Sequence, residues 1–162
     1  MATTINSAKV TLPTDTQILI TRDFDAAKHL VWKAYTTPEL IRRWWAGSHG
    51  TVTVAENDLR VGGSWRYVLV THGDEPFEVA FHGDYQEVEP TDRLVNTEIY
   101  EGAPDSVSVV TSTFTEVDGR TTLTQLCRYD SREVRDAVIE SGMEGGMQSS
   151  YDAMDEVVAS LA

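Results

Sequence analysis

The side chains able to do chemistry are few and dispersed. His29, His49, His72 and His82 show neither the HxH nor the HExxH spacing of a metal site, and the single cysteine, Cys127, cannot build a thiolate site. Solvated or hydrogen-bonded histidines are therefore favoured over ligands, and no metal or cofactor is expected. Ser64, Ser112 and Cys127 sit in no recognisable nucleophile signature. "VGGSWR" carries a glycine pair but neither phosphate-binding pattern, so Gly62 and Gly63 read as the turn into a strand. General acid-base work by His82, Glu87 or Glu98 requires one of them to point into a cavity, and a structural or solvent role is favoured for each. No catalytic residue is assigned.

The densest chemistry lies in "TTPELIRRWWAG", where two arginines adjoin two tryptophans. Thr37 as N-cap, Pro38 in the first turn, Glu39 at the positive end and Gly47 as the stop predict a short helix. On a helical wheel Leu40, Ile41, Trp44 and Trp45 fall within an arc of about 140°, and Arg42 and Arg43 lie opposite. The tryptophans are expected to anchor the helix to the domain, with the arginines toward solvent or neighbouring carboxylates.

The charge balance argues against a nucleic-acid partner. The 162 residues carry a net charge of -13, and no Lys or Arg follows Arg135. Such a field repels phosphate backbones and anionic membranes. With 41% apolar and 24% charged residues and no long apolar run, the chain reads as one globular domain without a membrane span. The N-terminus lacks the pattern of a secretory signal, and with the lone cysteine this suits a cytoplasmic location. Residues 1–9 are expected to form a flexible N-terminal arm and residues 10–162 a single domain.

The elements that must position any site follow from periodicity. "QILITRDF" alternates as a strand, and Asp25 is placed to cap a helix whose face carries Ala27, Leu30, Val31, Ala34 and Tyr35. Six β-rich runs from Thr51 to Tyr129, broken by turn residues, read as an antiparallel meander. Trp65, Tyr67 and Leu69 share one strand face, and Phe77, Val79 and Phe81 share one face of the next. The two sets meet on the same side only across a loop with an odd residue count, about three or five residues around Asp74. Ser131 caps a helix bearing Val134, Ala137 and Val138, and Met147, Tyr151, Met154, Val158 and Leu161 form the stripe of a long C-terminal helix. Gly145, Gly146, Ser149 and Ser150 allow its first turns to approach another backbone closely.

In this order "ITRDFDA", "VWKAYTTPELIRRWW", "VGGSWRY", "FHGDYQEVEPTDRLV" and "GMQSSYDAMDEVV" resemble the family related to the C-terminal domain of the heat-shock-protein ATPase activator. That family lies within the START-like, birch-pollen-allergen-like SRPBCC superfamily. The resemblance runs from about Val10 to Leu161 and implies an α+β helix-grip fold: a curved antiparallel sheet wrapped on the C-terminal helix, closed at one end by two short helices. It brings no catalytic motif with it.

From the residues alone, the aromatic and methionine set either fills a core or lines a pocket. The resemblance implies the latter, with Trp65, Tyr67, Leu69, Phe77, Val79, Phe81, Met147, Tyr151 and Met154 lining a cavity for a small apolar or amphipathic molecule. Two other readings stand beside it. One is a cavity enzyme of the cyclase or hydrolase kind, using an inward pair drawn from Tyr67, His82, Glu98 and Arg128. The other is a chaperone-associated interaction protein. A homodimer is compatible with all three.

Overall fold

The computed structural model describes residues 7–162. Pairing begins earlier than the pattern indicates: β1 (Lys9–Thr11) lies antiparallel to β2 (Gln17–Phe24), with Val10 opposite Ile20. The expected boundary at residue 9 thus cuts through paired chain. Ala8 is buried, its amide donating to Gln148 Oε1 at 3.0 Å and its carbonyl accepting from Gln148 Nε2 at 2.8 Å. The rest of the expected arm, residues 1–6, lies outside the described residues.

Helix α1 (Lys28–Thr36) is not capped by Asp25. Ala27 holds the N-cap position, the Lys28 amide donates to Glu116 Oε1 at 2.6 Å, and Asp25 pairs with Arg120. A carboxylate from a distant strand thus does the work expected of a local one. Helix α2 (Pro38–Trp44) starts at Pro38 as the sequence predicts, although the Thr37 hydroxyl makes no capping bond. Gly47 follows at φ +57°, and a Cβ there would lie 2.5 Å from Ser149 Oγ, so this position requires glycine for both backbone and space.

The six expected strands form as β3 (Gly50–Asn57), β4 (Ser64–Thr71), β5 (Glu78–Glu89), β6 (Arg93–Tyr100), β7 (Ser108–Val117) and β8 (Arg120–Arg128). They join one eight-stranded antiparallel sheet in the order β1-β2-β8-β7-β6-β5-β4-β3. Helices α1 and α2 carry the chain from β2 to the far edge strand, which is how the meander returns to close against β2. Irregularities between Val52 and Val54 and between Tyr85 and Glu87 accompany the curl of the sheet.

After β8, Ser131 caps α3 (Arg132–Glu140) by accepting from the Val134 amide, as expected. Ala137 is exposed, however, and the buried residue of this helix is Arg135, whose guanidinium donates to the Thr14 carbonyl at 2.8 Å. Helix α4 (Met143–Leu161) then crosses the concave face, burying Tyr151, Met154, Val157 and Val158. Met154, Val157 and Val158 of its C-terminal half belong with Phe24, Val31, Ile41 and Leu123 to one buried core. This end of the domain is solid, and the free space lies toward the other end of α4.

The α4 carboxylates Asp152 and Asp155 are not merely a solvent face. Arg22, 1% exposed, reaches Asp152 Oδ1 at 3.0 Å and Asp155 Oδ2 at 3.5 Å, with its guanidinium carbon 5.2 Å from the Phe24 ring centroid. An inward arginine on β2 thereby ties the sheet to the helix that covers it.

Candidate functional site

Between the sheet, α2, α3 and the first turns of α4 is a cavity of about 570 Å³. That is within the range of small-molecule sites. The register of the β4–β5 hairpin builds its aromatic wall. Tyr67 pairs with Phe81 and Leu69 with Val79, and Thr71 and Phe77 close the ladder around five intervening residues, an odd count. All four of these paired apolar residues border the space, as do Trp65, Met147 and Tyr151.

Two expected members lie elsewhere. Phe77 is 61% exposed: it has the inward parity but sits at the hairpin end, where the sheet runs past its cover. Met154 is fully buried in the filled core, one helical turn below the last cavity-lining residue of α4. Parity identifies the face and not how far along it the free space extends.

The tryptophan pair separates in function. Trp44 anchors α2, its indole N–H donating to the Ala34 carbonyl at 2.8 Å and its ring stacking on Tyr35 at 5.9 Å. Trp45 packs edge-on against Tyr67 and Phe81 at 5.7 and 5.9 Å, forming a three-ring corner. Both also border the cavity, a role the wheel did not disclose. Arg42 and Arg43 are exposed on the solvent side, as expected, and donate to the Thr53 carbonyl and the Ser160 hydroxyl. The small residues of α4 divide likewise. The Ser48 amide donates to Ser149 Oγ and Ser150 Oγ donates to the Trp45 carbonyl, whereas a Cβ at Gly145 or Gly146 would meet nothing.

A polar floor lies opposite the aromatic wall. Tyr151 donates to Gln125 Oε1, and Gln125 Nε2 donates to Tyr35 Oη at 2.6 Å and to Ser112 Oγ at 3.4 Å. Burial pushes the Tyr35 and Tyr151 hydroxyls above the usual phenol range and the Cys127 thiol up to about 12, so all stay protonated at neutral pH. They can donate hydrogen bonds but cannot act as preformed anions.

Glu98 stands apart. Its carboxyl faces the cavity, and among the described residues no side chain hydrogen-bonds or ion-pairs with it; Ser108 Oγ, at 3.1 Å, donates to its main-chain carbonyl instead. Loss of solvation raises it to about 7. The signal for it was present as alternation, since Leu94, Asn96 and Glu98 fall on one face of β6 and all three line the space. His82 points outward to Glu101, 3.0 Å away, and Arg128 is exposed, so Tyr67 and Glu98 alone of the four candidate acid-base groups face inward. No group of three or more His, Cys, Asp or Glu side chains could hold a metal ion among the described residues. No helix among them is long and apolar enough to cross a membrane.

A curved antiparallel sheet gripping a C-terminal helix around an internal cavity defines an α+β helix-grip protein. Structural comparison places it among proteins of this fold. A Rhodobacter sphaeroides protein superposes with a TM-score of 0.86 at 27% identity, covering 94% of this chain and 99% of its own. Protein Ms6760 from Mycobacterium smegmatis gives 0.82 at 26% identity, covering 96% and 99%. A protein from Arthrobacter aurescens gives 0.82 at 24% identity, covering 94% and 91%. No curated protein matches the sequence. The chain belongs to the family described as Activator of Hsp90 ATPase homolog 1-like protein, whose model matches residues 25–159.

Proposed function

We propose that this protein binds a small, largely apolar or amphipathic molecule in the cavity between its sheet and α4. The single observation that carries the reading is the cavity itself: about 570 Å³ bounded by an aromatic wall and a hydrogen-bonded polar floor. A folded chain gains by filling such space with side chains, and each void costs stability. Open volume beside orienting polar groups is the arrangement of a ligand site.

Native mass spectrometry of the freshly purified protein tests this directly, since a bound small molecule adds a discrete mass. Val110→Phe, which projects a larger side chain into the cavity, should abolish that adduct while the protein stays folded. A protein free of adduct whose melting temperature is unmoved by a series of apolar alcohols would remove the reading.

A cavity enzyme is favoured by one observation, the inward Glu98 carboxyl raised to about 7, the range in which a general acid or base is effective at neutral pH. Turnover of an activated ester that is lost in Glu98→Gln would support it. Turnover that survives that substitution would not.

A further inference from the structure

We propose that the cavity selects molecules carrying a protonated amine on an apolar body, and that Glu98 is the residue that makes the selection. The proposal rests on the reading of the cavity as a ligand site.

Glu98 is half-buried, and an ionisable group withdrawn from bulk solvent ordinarily has a partner, because an unpaired charge held away from water is costly. Among the described residues Glu98 has neither an ion pair nor a side-chain hydrogen bond, and its carboxyl faces open space. Among the described residues no Lys or Arg borders that space, and the exposed His49 is the sole side chain there that can become cationic. The elements packed around the carboxyl present Tyr35 from α1, Tyr151 from α4, Cys127 from β8 and Tyr129 just beyond it, each made harder to ionise by its nearness. Every one of these is neutral at physiological pH. The site therefore holds one latent negative charge and no fixed positive charge.

Such a field ranks occupants. A carboxylate or phosphate would meet Glu98 with no counter-cation and is disfavoured. A neutral molecule can bind while Glu98 keeps its proton. An ammonium both replaces the lost solvation and supplies the missing partner, and the faces of Trp45, Trp65, Tyr67 and Phe81 attract cations as well. The apolar remainder of the ligand then lies on the aromatic wall.

Proton linkage gives the proposal a signature that packing alone would not produce. Because an ammonium favours the ionised carboxyl, binding below neutral pH must expel a proton from Glu98.

Isothermal titration calorimetry with three probes of one shape, 1-naphthylmethylamine, 1-naphthylmethanol and 1-naphthoate, is the test. The amine should bind at least about tenfold tighter than the alcohol at about pH 8, and the naphthoate weakest. Near pH 6 amine binding should release a proton, seen as a dependence of the measured heat on the buffer's ionisation enthalpy. Glu98→Gln, close to isosteric, should bring amine and alcohol to within about threefold and abolish the proton release. If the alcohol binds and the amine has no advantage, the selection is refuted while the ligand-site reading stands. If none of the three binds, both fall. If proton release persists in Glu98→Gln but disappears in His49→Gln, the histidine is responsible and the proposal is overturned. If the Glu98→Gln variant folds poorly, the pH and buffer series on His49→Gln decides the matter: proton release that persists there comes from Glu98, and release that is lost there overturns the proposal.

Discussion

The Trp65 indole N–H donates to the Thr97 carbonyl at 3.1 Å, spanning the intervening strand β5. It can do so because Gly83, the residue opposite Trp65 on that strand, has no side chain. A Cβ at Gly83 would lie 1.9 Å from the Thr97 oxygen and 2.8 Å from the indole nitrogen. One glycine therefore sets the tilt of a cavity-wall tryptophan.

Gly83→Ala should consequently act on wall and sheet together. The added methyl must displace either backbone or indole, at a cost of about 1 to 3 kcal/mol. Urea denaturation measures that loss, and near-UV circular dichroism should register the movement of Trp65. An alanine variant with unaltered stability and an unaltered aromatic signal would show that Gly83 is not what permits the contact.

Ordinary periodicity carried the sequence reading through most of the fold. The six-strand meander, the odd hairpin count and the long α4 stripe each follow from local pattern, because residues two or four apart are forced onto one face. What it missed depends on contacts distant in sequence. Glu116 caps α1 from β7, three residues of β1 pair with β2, and Arg22 on β2 finds its carboxylates on α4. The site divides in the same way. Tyr67, Phe81 and Tyr151 could be found by face, whereas Phe77 and Met154 could not be excluded without knowing where the cover ends. Glu98 was visible as an inward polar residue only once the β6 face had been fixed.

Arg22 and Asp152 form a pair whose two members should respond unequally to removal. Asp152→Ala leaves a guanidinium that is 1% exposed with one carboxylate, Asp155 at 3.5 Å, beside its Nε bond to the Asp23 carbonyl, and its Nη2 already lacks a hydrogen bond. Because Asp152 is itself half-exposed, the loss should be about 1 to 2 kcal/mol, below that of a fully buried pair. Arg22→Met, which removes the charge and retains most of the volume, should cost less than Asp152→Ala, and adding it to Asp152→Ala should recover stability. Chemical denaturation of the three variants checks the order, and an Arg22→Met variant less stable than Asp152→Ala would contradict it.

Glu98 should make the ligand-free protein less stable as pH rises. Its folded value of about 7 lies above the ordinary 4.5, so the folded state holds this proton more tightly than the unfolded chain does. Below 4.5 both states are protonated and the residue has no effect; between 4.5 and about 7 the unfolded chain ionises first, and stability falls across that window. Glu98→Gln should match the wild type in acid and exceed it by roughly 2 to 3 kcal/mol at about pH 8. The difference between the two denaturation profiles isolates this group from carboxyls shifted the other way, such as Glu101, which the bidentate Arg66 contact lowers to about 2. Parallel profiles would mean that the Glu98 carboxyl is solvated.

The two tryptophans should separate in the same type of experiment. Trp44 is 5% exposed, donates to Ala34 and stacks on Tyr35, so Trp44→Ala removes packing, a hydrogen bond and the anchor of α2 at once. A loss of about 3 to 5 kcal/mol is expected. Trp45 is only half-buried and meets the cavity with much of its ring, so Trp45→Ala forfeits fewer contacts and should cost about 1 to 2 kcal/mol. Its larger effect should be on binding, because the corner it makes with Tyr67 and Phe81 opens. Measuring melting temperature and affinity for 1-naphthylmethanol on both variants gives opposite rankings if Trp44 holds the helix and Trp45 holds the ligand. Equal losses of stability would mean that the pair acts as one anchor and that the aromatic corner has no separate role.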